Sequence, residues 1–248
     1  MTIPTLLISS AVTVTAPFTA LIDSSLRISS TLHAIKKWLE YSRDMKIVIC
    51  DGTGFDFSSL LQEYFPGANS ECLYFHNDTN QVSTKGKGYG EGEIIEYALQ
   101  HSTLLSTSDF FAKCTSKLWV ANYHQCLQLW NGHILVNARF LMAPTLDNVA
   151  LESIDTRFYL INKNLYLSKF LHAHKSVADY EHHYLEHCFK DVITAHGIAS
   201  CVFPISPIIH GISGTTGEDY QVTNSLNQRI DEAIKRAIAI ETTNLICQ

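Results

Sequence analysis

The sequence predicts an α/β fold built on a parallel sheet. Three observations carry that expectation: short apolar runs alternate with helix-period segments over residues 5–76, turn or cap residues stand at the junctions, and 46% hydrophobic against 17% charged residues supplies a substantial core. Residues 5–8 form a first apolar strand, closed by Ser9 and Ser10. Ser29 and Ser30 read as the cap of a helix over 31–41, where Leu32, Ile35, Trp38 and Leu39 recur at helical spacing. A second strand over 45–50 stops at Asp51-Gly52-Thr53-Gly54. A helix over 58–65 ends at Pro66-Gly67, and 71–76 is the third strand. β-α-β-α-β order places ligands at the carboxyl ends of the strands, and Asp51 sits at such an end.

Residues 84–93 come next, with four glycines and two lysines in ten positions. Glycine at that density suits a backbone at positive φ or one that lets a ligand approach its amides. With Lys85 and Lys87 beside it and a helix expected over 91–101, the segment reads as a phosphate cradle or as a flexible surface turn. Its place after three alternating strands favours the cradle. The apolar run 110–120 follows, with Lys113 and Lys117 around Cys114-Thr115-Ser116. Strand alternation sends both lysines the same way, either outward or to an anion. Beyond it the sequence predicts a helix near 123–130, strands over 133–141 and 156–161, one apolar helical face within 177–194, and an amphipathic helix over 224–240.

Net charge −6 argues against nucleic acid as a partner. Seven scattered cysteines without a CxxC pair suggest neither a disulfide framework nor a zinc ribbon, and fit a reducing compartment. The N-terminal ten residues lack a basic region, so no secretory signal is expected, and no run reaches the ~20 apolar residues of a membrane span. The expected location is cytoplasmic, with peripheral attachment at an inner membrane left open. One domain is expected over 1–248, with a ligand-binding part over 1–122 and a second part over 123–248.

Several side chains are candidates for chemistry. Asp51 could accept from a nucleobase or ribose, or simply serve its own turn. His182 with Glu186, and His183 with His187, have the i,i+4 spacing of a one-helix metal site, and a solvated helix start is the simpler reading. Glu186 is the stronger candidate as a carboxylate, since Leu185, Cys188 and Phe189 lower the local dielectric and raise its pKa. Asp155, beside Arg157, is either an ion-pair member or part of an acceptor pocket. Residues 204–217 form a second glycine-rich segment whose His210, Ser213, Gly214 and Thr215 supply the donors a pyrophosphate or sugar needs. Neither segment matches a P-loop, and the first fails the dinucleotide fingerprint.

Five segments together, 85–92, 111–120, 155–160, 184–186 and 211–217, resemble a family of bacterial glycosyltransferases found with capsule and lipopolysaccharide genes. The resemblance implies a GT-A-like, Rossmann-type nucleotide-binding sheet with a C-terminal acceptor side. It implies a nucleotide-sugar donor, a UDP-sugar ahead of a CMP-sugar, and a glycan or glycolipid acceptor. In that frame Ser9 and Asp51 face the nucleoside, and Lys85, Gly86, Lys87 and Gly88 approach the nucleotide or its phosphates. The second glycine segment closes over the diphosphate. Such enzymes usually hold Mn or Mg on an Asp-x-Asp, and this sequence has none. Lysines can neutralise a leaving diphosphate instead. The expectation is transfer without a bound metal, with Lys113 and His210 at the leaving group, Lys117 among the nucleotide-binding residues, and Glu186, then Asp155, as the base. The alternative is a non-catalytic nucleotide-sugar or glycan-binding protein on the same fold.

Overall fold

A computed structural model describes residues 3–14, 16–142, 149–220, 230, 232–235 and 237. The helix expected over 224–240 lies largely outside the described residues. The first half runs β1 (Thr5–Ser10), α1 (Ser24–Tyr41), β2 (Ile47–Asp51), α2 (Ser58–Tyr64), β3 (Ser70–Tyr74), α3 (Thr79–Lys85), α4 (Lys87–His101), α5 (Thr103–Ser106) and β4 (Phe110–Thr115). It continues with β5 (Leu118–Val120), α6 (Tyr123–Gln128), β6 (Ile134–Met142), β7 (Val149–Asn162), α7 (Lys163–Leu165), α8 (Leu185–Ala195) and β8 (Ile209–Gly211).

Six strands form one sheet in the order β3-β2-β1-β4-β7-β6, and β5 pairs with β8 apart from it. The pairs β1–β2, β2–β3 and β1–β4 are parallel, whereas β7 adds antiparallel to β4 and carries β6. The sheet is therefore α/β and Rossmann-type in its first half, with a C-terminal elaboration, as the sequence predicts. Strand alternation builds two cores. Leu7, Val48, Cys50 and Phe111 pack on one face against Ile94, Ile95 and Ala98 of α4 and Leu185 and Phe189 of α8. Leu6, Ile8, Ile49 and Ala112 pack on the other against Ile35 and Trp38 of α1, Leu61 of α2 and Tyr123 of α6.

Three expectations are corrected. First, α1 begins at Ser24, where the Asp23 carboxylate accepts from Leu26 N at 2.8 Å, so Ser29 and Ser30 lie inside the helix rather than capping it. Second, the run 110–120 is two strands joined by a tight turn in which Lys117 takes φ 70°, so Lys113 and Lys117 do not share a strand face.

The third correction concerns the glycines of 84–93, which are not a loop. Lys85 ends α3, Gly86 breaks the chain at φ 113°, and Lys87 opens α4. Only Gly86 needs a positive φ, and a Cβ there would also fall 2.0 Å from Asp179 Oδ2. The others are packing glycines inside the helix. A Cβ on Gly88 would lie 2.9 Å from Leu185 Cβ, one on Gly90 2.8 Å from Asn77 Nδ2, and one on Gly92 2.0 Å from His174 Cβ. Gly92→Ala is expected to lower unfolding free energy by about 1–3 kcal/mol, because overpacking against His174 outweighs the gain in helix propensity. A urea midpoint at or above that of the unchanged chain contradicts this account.

Candidate functional site

The chain leaves β1 for β2 and β3 on one side, then returns to β4 on the other side of β1, so the order reverses between β1 and β4. At the carboxyl ends of those two strands lies a cavity of about 300 Å³, bordered by Ser9 and Ser10 at the end of β1, by Thr115 at the end of β4, and by Ser116 and Lys117 just beyond it. This is where an open α/β sheet takes its ligand.

One end of the cavity is cationic. Lys117 is only 3% exposed, and Lys117 Nζ donates to Ser116 Oγ at 3.0 Å. Burial, with the Arg27 charge adding to it, pushes its pKa down to about 7. Arg27 of α1 is itself buried, with Nε on Ala11 O at 2.6 Å and one terminal nitrogen on Leu21 O at 2.8 Å. Lys87 Nζ reaches Thr215 Oγ1 at 2.6 Å. All three cations border the cavity and converge on Gly214 and Thr215. That segment is stitched to the loop after β1 by Ala20 N to Thr215 O (3.1 Å) and Leu21 N to Gly214 O (3.3 Å).

The other end carries carboxyl groups. Glu186, in the first turn of α8, is half-buried and accepts from Thr156 Oγ1 of β7 at 2.9 Å. Burial raises its pKa; the Thr156 hydrogen bond offsets part of that, and nearby Glu91 and Asp155 add to it. The expected direction of the shift is found. Glu91, on α4, also borders the cavity. Burial acts to raise its pKa, but the Lys113 charge and hydrogen bonds from Lys113, Ser9 and Thr115 outweigh it and hold the carboxylate below its ordinary range.

Of the residues singled out from sequence, Ser9, Lys87, Gly88, Lys117, Glu186, Gly214 and Thr215 border the cavity. Seven others do not, each for a physical reason. Asp51 is fully buried and spends its oxygens on Thr53 N, Thr53 Oγ1, Phe55 N and Val12 N, which is the turn-holding role. Lys85 donates to Lys175 O at 2.6 Å and lies over the Tyr89 ring, and Gly86 packs on Asp179. Lys113 is 0% exposed and commits its ammonium to Glu91 Oε1, Thr115 Oγ1 and Thr156 O, so it is no free cation for a leaving group. Asp155 pairs with Arg157, and it is Arg157 that borders the cavity. His210 stacks on Trp119 at 5.7 Å, and Ser213 Oγ accepts from Thr216 N at 3.1 Å.

Sequence reading missed Arg27 and Glu91. Arg27 lies ahead of the helix expected over 31–41, and Glu91 is expected only as the first residue of the helix over 91–101. An acid four residues after Lys87 and ahead of an apolar helical run was the available signal for Glu91.

A divalent cation takes hard oxygen ligands, carboxylates first. Where β4 meets the cavity the chain offers Thr115, Ser116 and Lys117. Among the described residues no group of three or more His, Cys, Asp or Glu is arranged to hold a metal ion. At β4 itself the chain presents two hydroxyls and a lysine and no carboxylate. The histidine spacing does not rescue a site, because α8 starts only at Leu185. His182 stands before it at φ 59° with Nδ1 3.0 Å from Tyr184 OH, and His183 faces Asp191.

Fold and cavity together define an α/β protein with an anion-ready site at a topological switch point. No family model matches the sequence, and neither does any curated protein. Among solved structures the chain is similar to WbbM, a bifunctional glycosyltransferase, at 12% identity over 95% of this chain and 44% of that one, with TM-score 0.49. It is similar to the mannosyltransferase PcManGT of Pyrobaculum calidifontis, solved with GDP-Man and Mn2+, at 13% identity over 68% and 47% of the two chains, TM-score 0.40. It is also similar to the mannosyltransferase Ktr4p of S. cerevisiae, at 8% identity over 74% and 62%, TM-score 0.43. The chain thus spans less than two thirds of each of these three proteins. No described helix is long and apolar enough to cross a membrane.

Proposed function

We propose that the chain is a GT-A-like glycosyltransferase that moves a sugar from a nucleotide-sugar donor to a growing bacterial surface glycan, acting in the cytoplasm or at the inner face of the membrane. A UDP-sugar is the favoured donor and a CMP-sugar the second. The observation that carries this reading is the cavity at the ends of β1 and β4, where Arg27, Lys87 and Lys117 converge on Gly214 and Thr215 and a half-buried Glu186 stands on Thr156.

In this reading the diphosphate lies against the three cations, which neutralise the charge that grows as the sugar–oxygen bond breaks. Glu186 takes the proton of the acceptor hydroxyl as that oxygen forms the new bond to the sugar carbon. Thr156 fixes the carboxylate's position.

The test is a thermal-shift screen of UDP, CMP and their sugars, with and without EDTA, followed by an assay for released or transferred sugar. A ligand at 100 times its Kd adds about 2.7 kcal/mol of stability. Stabilisation and turnover that persist in EDTA support the reading. Activity lost in EDTA and restored by Mn overturns its metal-free part, and binding without any sugar release shows a binding protein instead.

Lys117 adds a pH signature. Its folded pKa of about 7 lies below its ordinary value, so above pH 7 the free protein must take up a proton to present a cation. UDP-glucose affinity is expected to be flat below about pH 7 and to fall by up to about tenfold per unit above it, and Lys117→Met is expected to abolish that slope. A pH-independent affinity between 6 and 9 in the unchanged chain refutes this role.

A further inference from the structure

Glu91 has a geometry that a plain counter-ion does not need. Its Oε1 accepts from three donors at once: Lys113 Nζ, Ser9 Oγ at 3.0 Å and Thr115 Oγ1 at 3.2 Å. These come from β1 and from two positions of β4, so the carboxylate cannot rotate without losing them. Among the described residues no hydrogen bond reaches its Oε2, and the side chain keeps 22% exposure at the cavity wall. Lys113, by contrast, has no exposure at all and spends its remaining donors on Thr115 Oγ1 and Thr156 O. The result is one carboxylate oxygen clamped in the protein and the other without a hydrogen bond among the described residues, on a side chain that borders the cavity.

We propose that Glu91 is a binding and specificity residue for the sugar of the donor, its Oε2 accepting from sugar hydroxyls, with Lys113 as the residue that positions it. This inference rests on the nucleotide-sugar reading above. Three considerations select hydroxyls. An ionised carboxylate repels the diphosphate, so it does not bind the phosphate end. It lacks a donor, so its partner must bring the hydrogen, and a bare carboxylate oxygen makes its strongest neutral contact with O–H. Its position also suits the sugar: Thr115, which holds Glu91, is two residues from Lys117 at the cationic end, and a donor sugar is bonded directly to its diphosphate.

The same clamp ties the two carboxyl groups of the cavity together. Lys113 bridges Glu91 to Thr156 O, and Thr156 Oγ1 holds Glu186, so the group that grips the sugar and the group that faces the acceptor hang on one buried ammonium and one threonine.

The experiment compares the affinities of UDP, CMP, UDP-glucose, UDP-galactose, UDP-N-acetylglucosamine and CMP-N-acetylneuraminate by calorimetry. It uses the full chain, the double variant Glu91→Gln/Lys113→Met, and Glu91→Asp. The double variant removes both buried charges together. Glu91→Asp keeps the charge for Lys113 but withdraws the carboxylate by one methylene, and it serves if the double variant does not fold. The expected result is that both variants bind the free nucleotide as the unchanged chain does, and lose about 10- to 100-fold in affinity for the preferred nucleotide sugar. A variant that keeps the nucleotide-sugar affinity overturns the role of Glu91 and leaves the proposed function standing. So does an unchanged chain that binds nucleotide and nucleotide sugar equally. An unchanged chain that binds none of the six overturns the function itself.

Discussion

Glu186→Gln is expected to lower the rate of sugar transfer by about 10²–10⁴-fold, the range spanned by a well-placed general base. Glutamine keeps the volume and still accepts from Thr156 Oγ1, so the fold and the donor affinity should survive. What it loses is the basic oxygen. Burial raises the Glu186 pKa, which makes the carboxylate a better base once ionised and moves the pH at which it ionises upward. If the chain is the proposed transferase, it is therefore expected to lose kcat as pH falls, with an apparent pKa above the ~4.3 of an ordinary glutamate. The variant should show no such limb. A Glu186→Gln variant within a few-fold of the unchanged rate, or one that keeps the acid limb, removes Glu186 from the proposed chemistry.

Glu91→Gln alone is expected to cost about 3–5 kcal/mol of stability, the larger of the two single-site effects at this pair. The asymmetry follows from exposure. Without Glu91, Lys113 is left with 0% exposure, two neutral acceptors and no counter-charge. Without Lys113, the Glu91 carboxylate still has the Ser9 and Thr115 hydroxyls and cavity water. Lys113→Met should therefore cost less, and the double variant should recover most of the loss, since replacing both members of a buried pair is often near neutral. Because Glu91 is held below its ordinary pKa, the pair's contribution is full above about pH 4.3 and is lost as pH falls through the depressed value. Urea unfolding of the three variants checks the order. Equal losses for both single variants refute it.

The first half of the fold was legible because its signals are local. The runs that became β1 and β2 are apolar on both faces, as buried parallel strands must be, and Ile35 and Trp38 mark the inner stripe of α1. The start of α1 was not legible, since its first turns carry serines and a buried arginine whose partners are the carbonyls of Ala11 and Leu21. The site was legible as a position and not as a set of contacts. The end of β1 and the cationic turn at Lys117 follow from strand order and residue type. Whether a lysine is spare or spent depends on a partner elsewhere: Lys117 borders the cavity, and Lys113, four residues earlier, is consumed by Glu91. The glycines misled for a related reason. Density alone does not say whether the absent Cβ makes room for a ligand or for His174 and Leu185, which arrive from far along the chain.

Those same glycines set an order of assembly. Three glycines in the first turns of α4 weaken it by about 1 kcal/mol each relative to alanine, so that end of the helix has little tendency to form by itself. It is held by Leu185 and His174, which are synthesised long after it. A nascent chain that has just completed β4 can already pair β1 with its neighbours and offer Asn77, Ser9, Lys113 and Thr115 to this helix end, yet the partners of Gly88 and Gly92 are still missing. The binding cavity is therefore completed late, when the segment from 172 to 195 docks, and an N-terminal fragment of this protein would be a sheet without a working floor.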